Sequence, residues 1–189
     1  KTTQIPQYCA EEFGGIVACT QPRVMAAISI AKRIAEEYDG SSCGNGVGYQ
    51  VGGRGNRVIG SEIMMLKDSA LIKMSQNDKM LSKIKVLIID EAHERNLNTD
   101  IVLGLAKLIL KQRPHDFYVV IASATIDPKP FLDFFGSVHQ CLDVPGRLFD
   151  VSVVYEPPPD KNSWKPHLIK TLMETITEHP DGHILVFLA

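Results

Sequence analysis

The stretch KVLIIDEAHERN, residues 85–96, joins an apolar run directly to a cluster of charged side chains. Residues 86–89 are consecutive aliphatic residues, as expected of a parallel strand that is covered on both faces. Asp90, Glu91 and His93 follow at the carboxyl end of this strand, where open α/β sheets bind their ligands. The stretch therefore predicts an α/β fold whose ligand crevice contains two adjacent carboxylates.

Strand-like and helix-like segments alternate along the chain, which favours a parallel sheet with helices on both faces. The predicted strands are residues 15–21, 47–51, 85–90 and 117–125. The predicted helices are residues 2–13, 22–38, 62–74 and 99–113. Pro22 is expected at the first position of its helix, and Asn98 or Thr99 is expected to cap the last one.

Composition changes towards the end of the chain, which predicts a domain boundary there. Residues 1–145 are expected to form one domain, and residues 146–162 an alternating strand followed by a linker with three consecutive prolines. Residues 163–189 predict a helix at 165–179 and a strand at 183–189. One helix and one strand cannot enclose a core, so we expect this segment to be the start of a second domain.

The overall composition excludes several classes of protein. A net charge of −2 provides no global basic field for nucleic acid, although a local basic patch remains compatible with it. The four cysteines are scattered, without the spacing of a zinc site or the density of a disulfide scaffold. No apolar run is long enough to span a membrane. We expect reduced thiols and an intracellular protein, either nuclear or cytoplasmic.

The first three residues, Lys1, Thr2 and Thr3, open a predicted helix. Helix N-termini present free N–H groups and a positive dipole end, which suit phosphate. In a P-loop, glycines precede a Lys that reaches the phosphates and a Ser or Thr that binds Mg²⁺. Those glycines do not precede Lys1 in this chain. By itself the triplet is better explained as a solvated terminus.

Asp90 and Glu91 give the triplet a chemical context. An Asp at the end of an apolar strand holds Mg²⁺ in P-loop NTPases, and a following carboxylate can orient the attacking water. The alternative is a helix-capping Asp followed by a solvated acidic patch. The complete DEAHER segment, followed by a predicted strand that ends in SAT, favours the NTPase interpretation.

The segments KTTQIPQY, TQPR, DEAHER, SATID, PGR and ILVFL occur in the order and rough spacing of the DEAH-box helicases of superfamily 2. The chain resembles this family over nearly its whole length. The family consists of ATP-dependent, mostly RNA, helicases with two RecA-like domains, which hold nucleotide between them and RNA across both. The resemblance implies most of the first RecA-like domain, truncated within the P-loop, and the truncated start of the second.

The resemblance also implies roles for the residues around the nucleotide. Lys1 matches the phosphate-binding lysine, and Thr3 matches a polar residue beside Lys1 and Thr2; these three are the implied nucleotide-binding residues. Thr2 and Asp90 match the ligands of Mg²⁺. Glu91 matches the residue that activates water. ATP and Mg²⁺ are the implied cofactors. The implied partners are RNA, protein activators and the remainder of the helicase, and no membrane is implied.

Three further residues match positions that couple the ATP site to movement. His93 matches the residue that links the ATP site to the partner domain, and Ser123 and Thr125 match the coupling motif after the last predicted strand. Simple capping of the strand end is the alternative for Ser123 and Thr125.

The candidate RNA contacts are Arg23, Ser61 and Lys67, which fall in motifs that depart from the family pattern. Val24 stands where the family has a second arginine after Arg23, and Ile63 replaces a glycine in the next motif. A solvated surface charge is the alternative for Arg23. The departures leave two other functions open: a non-motor nucleotide-binding interaction module with degraded RNA motifs, or a DNA-directed translocase of the same superfamily.

We predict that the 189-residue chain alone has negligible ATPase activity. Lys1 is not preceded by the glycine amides that surround phosphates in a P-loop. The arginines of a second domain, worth about 10³–10⁵ in rate in related NTPases, would also be missing. Robust Mg²⁺-dependent turnover by the purified chain, abolished by Glu91→Gln, would contradict this expectation.

Overall fold

The computed structural model divides the chain into two compact units, Lys1–Cys141 and Leu142–Ala189. The residues that it describes are 1–52, 57–124, 127–136, 140–144, 146, 149–160 and 162–188. Within these ranges, all strands belong to the first unit. No helix in the described ranges combines the length and the apolar character needed to cross a membrane.

The first unit is built around a sheet that has six strands in the described part of the chain. The strands are β1 (Ile16–Gln21), β2 (Val47–Gln50), β3 (Arg57–Val58), β4 (Ile63–Lys67), β5 (Ile84–Ile89) and β6 (Tyr118–Ile121). The helices of this unit are α1 (Gln4–Phe13), α2 (Val24–Tyr38), α3 (Asp68–Asn77), α4 (Leu97–Gln112) and α5 (Lys129–Phe135). The second unit contains α6 (Trp164–Glu178).

The strand order is β3-β2-β4-β1-β5-β6. All neighbouring strands run parallel except β3, which pairs antiparallel with β2 at the edge. The central strand β1 contributes Val17 and Cys19 to a core shared with α1 and α2, and Ala18 to a core shared with α3 and α4. Both faces of the sheet are therefore covered, which confirms the predicted α/β class.

Several predicted elements are confirmed with small changes at their ends. The strands predicted at 15–21, 47–51 and 85–90 correspond to β1, β2 and β5, and the first helix corresponds to α1. The last predicted strand is shorter than expected, because β6 ends at Ile121 and Ser123 follows outside it. Thr125 lies outside the described residues.

The helix predicted at 62–74 is wrong in its first half. Ile63–Lys67 forms β4, and α3 begins only at Asp68. Ile63 to Leu66 are all buried, and the strand pairs with β1 on one side and β2 on the other. A short apolar run fits a buried strand as well as a helix, so its place in the sheet decided the outcome.

Two predicted helix starts are also wrong. Arg23 has an extended backbone (φ −108°, ψ 127°), so α2 begins at Val24 and Pro22 lies outside it. The cap of α4 is Asn96, whose Oδ1 accepts a hydrogen bond from the Thr99 N–H at 3.0 Å. Asn96 is the N-cap residue because its side chain accepts a hydrogen bond from an N–H group of the first helical turn.

The second unit contains the predicted helix but neither predicted strand. α6 corresponds to the helix expected at 165–179. Residues 149–158 and 183–188 lie outside any strand. A strand needs a hydrogen-bonded neighbour, and these segments pair with none within the described ranges. Their apolar side chains are accordingly exposed, for example Tyr155 at 88% and Phe187 at 87%.

Gly48 and Gly60 bring two backbone segments of the first unit into unusually close contact. A Cβ atom added to Gly48 in β2 would lie 2.1 Å from the Gly60 nitrogen and 2.3 Å from the Val58 carbonyl oxygen. A Cβ atom on Gly60 would lie 2.2 Å from the Gly48 nitrogen. Because the clashing atoms belong to the backbone, a side chain at either position requires the strands to separate.

We therefore predict that Gly48→Ala lowers the free energy of unfolding by at least about 3 kcal/mol, the upper end of ordinary overpacking. Gly104→Ala is the matched control, since Gly104 lies inside α4 with open space at its Cβ position. It should stabilise the protein by about 0.5–1 kcal/mol, because alanine favours a helix interior. Urea denaturation measures both. A Gly48→Ala protein as stable as the unchanged protein would show that this close contact is not required.

Candidate functional site

The parallel strands place their carboxyl ends along one edge of the sheet. Gln21 ends β1, Lys67 ends β4, Asp90 follows β5 and Ser123 lies just beyond β6. Crevices at such edges are where α/β proteins bind ligands. The start of the chain reaches the same edge, because Thr2 is hydrogen-bonded to Asp90.

Asp90 is the most buried charged group at this edge, with an exposure of 1%. Its Oδ2 accepts hydrogen bonds from Thr2 Oγ1 and Gln21 Nε2, both at 2.6 Å. Its Oδ1 accepts from the Glu91 N–H at 2.9 Å and lies 3.4 Å from Lys1 Nζ. A buried carboxylate needs such partners, since burying an unpaired charge is costly. The contacts join the ends of β1 and β5 to the start of the chain.

Glu91 is held in a strained conformation beside this carboxylate. Its φ is +52°, in the left-handed region that costs a residue with a side chain about 1–2 kcal/mol. Its Oε1 lies 3.3 Å from Lys1 Nζ, and its Oε2 lies 3.4 Å from His93 Nδ1. Strain of this kind is commonly retained where it positions a functional group. Here it places the second carboxylate next to the lysine that contacts the first.

His93 connects Glu91 to the segment that follows β6. Its Nδ1 lies 3.4 Å from the Ala124 N–H as well as from Glu91. Nδ1 can accept from Ala124 only when it carries no proton, and can donate to Glu91 only when it carries one. Ala92 adds a backbone link, its N–H donating to the Ala122 carbonyl at 3.1 Å. The half-buried Ser123 lies between Ala122 and Ala124 in the sequence, whereas Thr125 is outside the described residues.

The residues around Asp90 fit a magnesium ion that is shared with phosphates. Within the described ranges, no three His, Cys, Asp or Glu side chains are arranged to hold a metal ion. Magnesium usually takes only one or two protein ligands and completes its shell with water and substrate phosphates. The Thr2 hydroxyl and the Asp90 carboxylate, whose oxygens are 2.6 Å apart, supply such a pair. Lys1 lies beside them, with Nζ 3.4 Å from Asp90 Oδ1 and 33% of its side chain exposed.

Thr3 is placed differently from its two neighbours. It occupies the N-cap position of α1, but its side chain makes no capping hydrogen bond. Its carbonyl oxygen accepts a hydrogen bond from Gln7 Nε2 at 2.9 Å. The structure therefore gives Thr3 a role in the start of the helix, and brings only Lys1 and Thr2 to the two carboxylates.

The candidate RNA contacts divide between two edges of the sheet. Arg23 and Lys67 follow or end the adjacent strands β1 and β4, at the edge that contains Asp90. Ser61 precedes β4 and so lies at the opposite edge, where its hydroxyl donates to the Asn45 carbonyl at 3.3 Å. The structure does not bring Ser61 together with Arg23 and Lys67.

The structure adds polar residues that the sequence analysis did not select. Gln21 donates a hydrogen bond to Asp90. The sequence could have identified it, because it is the polar residue that ends a buried strand. Glu94 contacts Arg23 with Oε1 2.8 Å from Nη2. Asp68 follows β4 directly, and the wrong helix prediction concealed it.

Asp68 is a buried carboxylate with incomplete hydrogen bonding. It is 2% exposed, and its Oδ2 accepts a hydrogen bond from Thr99 Oγ1 at 2.6 Å. Its Oδ1 and the Thr20 hydroxyl are buried without a hydrogen-bond partner among the described residues. Burial raises the pKa of Asp68. The hydrogen bond from Thr99 lowers it, as do the charge of Lys67 and the Thr20 hydroxyl, which lies close to the carboxylate but outside hydrogen-bonding geometry. Burial is the largest of these effects, so the folded protein disfavours the charged form.

This arrangement predicts how stability depends on pH. Because the folded-state pKa of Asp68 is raised, the unfolded state loses its proton first, and stability falls as pH rises from about 4 through the folded pKa. Asp68→Asn should remove this loss, since Asn can accept from Thr99 and donate to Thr20. We expect a higher free energy of unfolding at pH 7 and a weaker dependence of that free energy on pH. The difference should correspond to the titration of about one group. Urea denaturation between pH 4 and 7 measures both.

Asp78→Asn is a matched control that should change stability at pH 7 in the opposite direction. Hydrogen bonds from the hydroxyl and N–H of Ser82 lower the pKa of Asp78, so its charge stabilises the folded state above the unfolded pKa. Stability should fall at pH 7 when Asp78 is replaced. If Asp68→Asn lowered stability at pH 7, as Asp78→Asn should, burial would not govern the pKa of Asp68.

A comparison of the whole sequence with models of known protein families finds no match.

Proposed function

We propose that the chain is the ATP-binding part of a DEAH-box RNA helicase, comprising most of a first RecA-like domain and the start of a second. The observation that carries the proposal is the contact of Lys1 and Thr2 with Asp90 and Glu91. Thr2 and Asp90 are hydrogen-bonded although 88 positions separate them in the sequence. A parallel α/β sheet with this cluster at its carboxyl edge is compatible with a RecA-like fold.

In this proposal, each residue of the cluster has a separate task. Thr2 and Asp90 hold Mg²⁺, which neutralises phosphate charge when it is bound. Lys1 supplies a positive charge to the terminal phosphates of ATP. Glu91 orients the attacking water and accepts its proton, which requires a carboxylate at hydrogen-bonding distance from that water. Gln21 keeps Asp90 in place through its hydrogen bond.

The contacts around His93 support coupling of hydrolysis to motion. His93 and Ala92 connect the residues next to Glu91 with residues 122–124, after β6. In the proposed helicase, Ser123 and Thr125 couple hydrolysis to movement along the nucleic acid, and His93 is the residue that links the ATP site to the partner domain. A change at Glu91 during turnover would reach residues 122–124 through the contacts of His93 and Ala92.

Arg23 and Lys67 are the proposed RNA contacts in the described structure. They lie at the ends of adjacent strands, on the same edge of the sheet as the nucleotide cluster. Contacts from such side chains to phosphates provide affinity without reading the base sequence, as a translocating motor requires. Ser61 is less well supported because it lies at the opposite edge.

A non-motor nucleotide-binding module is the second candidate. It is favoured by the ion pair between Arg23 and Glu94 and by Val24 in place of an arginine. Both features reduce the positive charge offered to RNA. ATPase activity that RNA stimulates would support the helicase, whereas ATP binding without such stimulation would support the module.

We expect Glu91→Gln in the full-length protein to retain ATP binding and lose RNA-stimulated hydrolysis by about 10²–10⁴-fold, because glutamine cannot act as a carboxylate base. Asp90→Ala should instead weaken ATP binding and make the remaining affinity insensitive to Mg²⁺, because a metal ligand is lost. Nucleotide affinity with and without EDTA, together with single-turnover hydrolysis, measures both effects.

Glu12→Gln is the control for a simple loss of charge, since Glu12 is exposed on α1 and makes no ion pair among the described residues. It should change neither affinity nor hydrolysis. Normal turnover by Glu91→Gln would contradict the role of Glu91, and Mg²⁺-dependent ATP binding by Asp90→Ala would contradict that of Asp90.

A further inference from the structure

The exposed side chain of Arg23 forms an ion pair with Glu94. The Glu94 Oε1 lies 2.8 Å from Arg23 Nη2, so the contact is both an ion pair and a hydrogen bond. The two residues come from different elements: Arg23 precedes α2, whereas Glu94 ends the short 3-10 helix Ala92–Glu94. The pair therefore joins the candidate RNA edge to the segment that contains Glu91.

The two partners differ in their freedom to move. The side chain of Arg23 is 75% exposed, while that of Glu94 is 27% exposed. The short helix of Glu94 is bounded by Glu91 and Arg95, both in the left-handed region, with φ of +52° and +47°. The carboxylate is the less exposed partner, so the exposed guanidinium is the one with room to turn towards an incoming anion.

Glu94 has Arg23 as its cationic partner, while the nearest arginine in sequence is engaged elsewhere. Arg95 donates to both carboxylate oxygens of Asp100, at 2.7 and 3.2 Å. The negative charge of Glu94 also reaches the end of β4, because it contributes to the raised pKa of Asp68 after the larger effect of burial. Glu94 therefore places a negative charge beside Arg23 and within electrostatic reach of Asp68, which follows β4.

We propose that Glu94 is an intramolecular competitor of RNA: its carboxylate occupies Arg23 in the free protein, and an RNA phosphate must displace it. The inference rests on the proposed RNA-binding function. In the RNA-bound state Arg23 pairs with the phosphate and Glu94 is released. Because Glu94 lies in the short helix that begins directly after Glu91, occupancy of the RNA edge alters contacts of the segment that follows the nucleotide site.

Competition follows from the charges rather than from the number of hydrogen bonds. A guanidinium has five N–H donors, so Arg23 could in principle contact both anions. A phosphate placed beside Glu94 would, however, bring two negative charges together, and like charges at short distance are unfavourable. With Glu94 in place the pair has no net charge, whereas binding of the RNA backbone depends on neutralising phosphates with unpaired cations.

The test is a double-mutant cycle in the full-length protein with Arg23→Ala, Glu94→Gln and the combined variant. RNA affinity is measured over a series of salt concentrations for two unrelated single-stranded RNAs. Removing an exposed ion pair is worth a small effect, so Glu94→Gln should tighten RNA binding by about two- to fivefold. The salt dependence should steepen by about 0.7, the value for one additional phosphate contact on a single strand. In the Arg23→Ala background, Glu94→Gln should have no effect on either quantity.

Glu36→Gln is the matched control, since Glu36 is exposed on α2 and makes no ion pair within the described ranges. It removes the same charge and should leave RNA affinity and its salt dependence unchanged. Glu94→Ala serves as a second variant, and thermal unfolding shows that each protein is folded.

Each other result has a distinct meaning. Unchanged or weaker RNA binding by both Glu94 variants would overturn the competition, and weaker binding would make Glu94 a residue that orients Arg23. Tighter binding that persists in the Arg23→Ala background would also overturn it, because the effect would then not pass through Arg23. If Arg23→Ala left RNA affinity unchanged, the proposed RNA function of this edge would be contradicted, and the competition with it.

Discussion

The buried carboxylate of Asp90 is the constraint around which the rest of the site is organised. At 1% exposure it cannot rely on water, so protein donors must stabilise its charge. Those donors come from Thr2, Gln21 and the Glu91 backbone, and the ammonium group of Lys1 lies beside them. The start of the chain and the ends of two strands meet at this point, and each supplies a group that stabilises the buried charge. Loss of any donor would leave a partly unsatisfied charge in the interior.

A short strained segment distributes the charges that follow Asp90. Glu91 and Arg95 have left-handed backbones at either end of the 3-10 helix, and the polar side chains of residues 91–94 contact different partners. Glu91 faces Lys1, His93 faces the segment after β6, and Glu94 faces Arg23. A regular helix would direct residues three or four apart to the same face. The strained turn instead connects one stretch of sequence to three regions of the first unit.

The sequence analysis selected the residues of this site better than it selected their partners. Lys1, Thr2, Asp90 and Glu91 stand out because their residue types and positions match phosphate chemistry. Glu94 was part of the quoted stretch, but nothing local shows that it pairs with a residue 71 positions away. The pairing of Asp68 with Thr99, 31 positions apart, was hidden for the same reason. Contacts between distant residues depend on which strands become neighbours, and that order is not a local property.

The sequence by itself determined the α/β class and most of the elements of the first unit. Continuous apolar runs favour buried parallel strands, and periodic apolar residues favour the helices that cover them. The tertiary structure alone decided that Ile63–Lys67 is a strand, because its hydrogen bonds are made to β1 and β2. It also decided that Ser61 and Lys67, only six residues apart in number, lie at opposite edges of the sheet. An extended strand separates its two ends, whereas the helix expected from the local pattern would have kept them close.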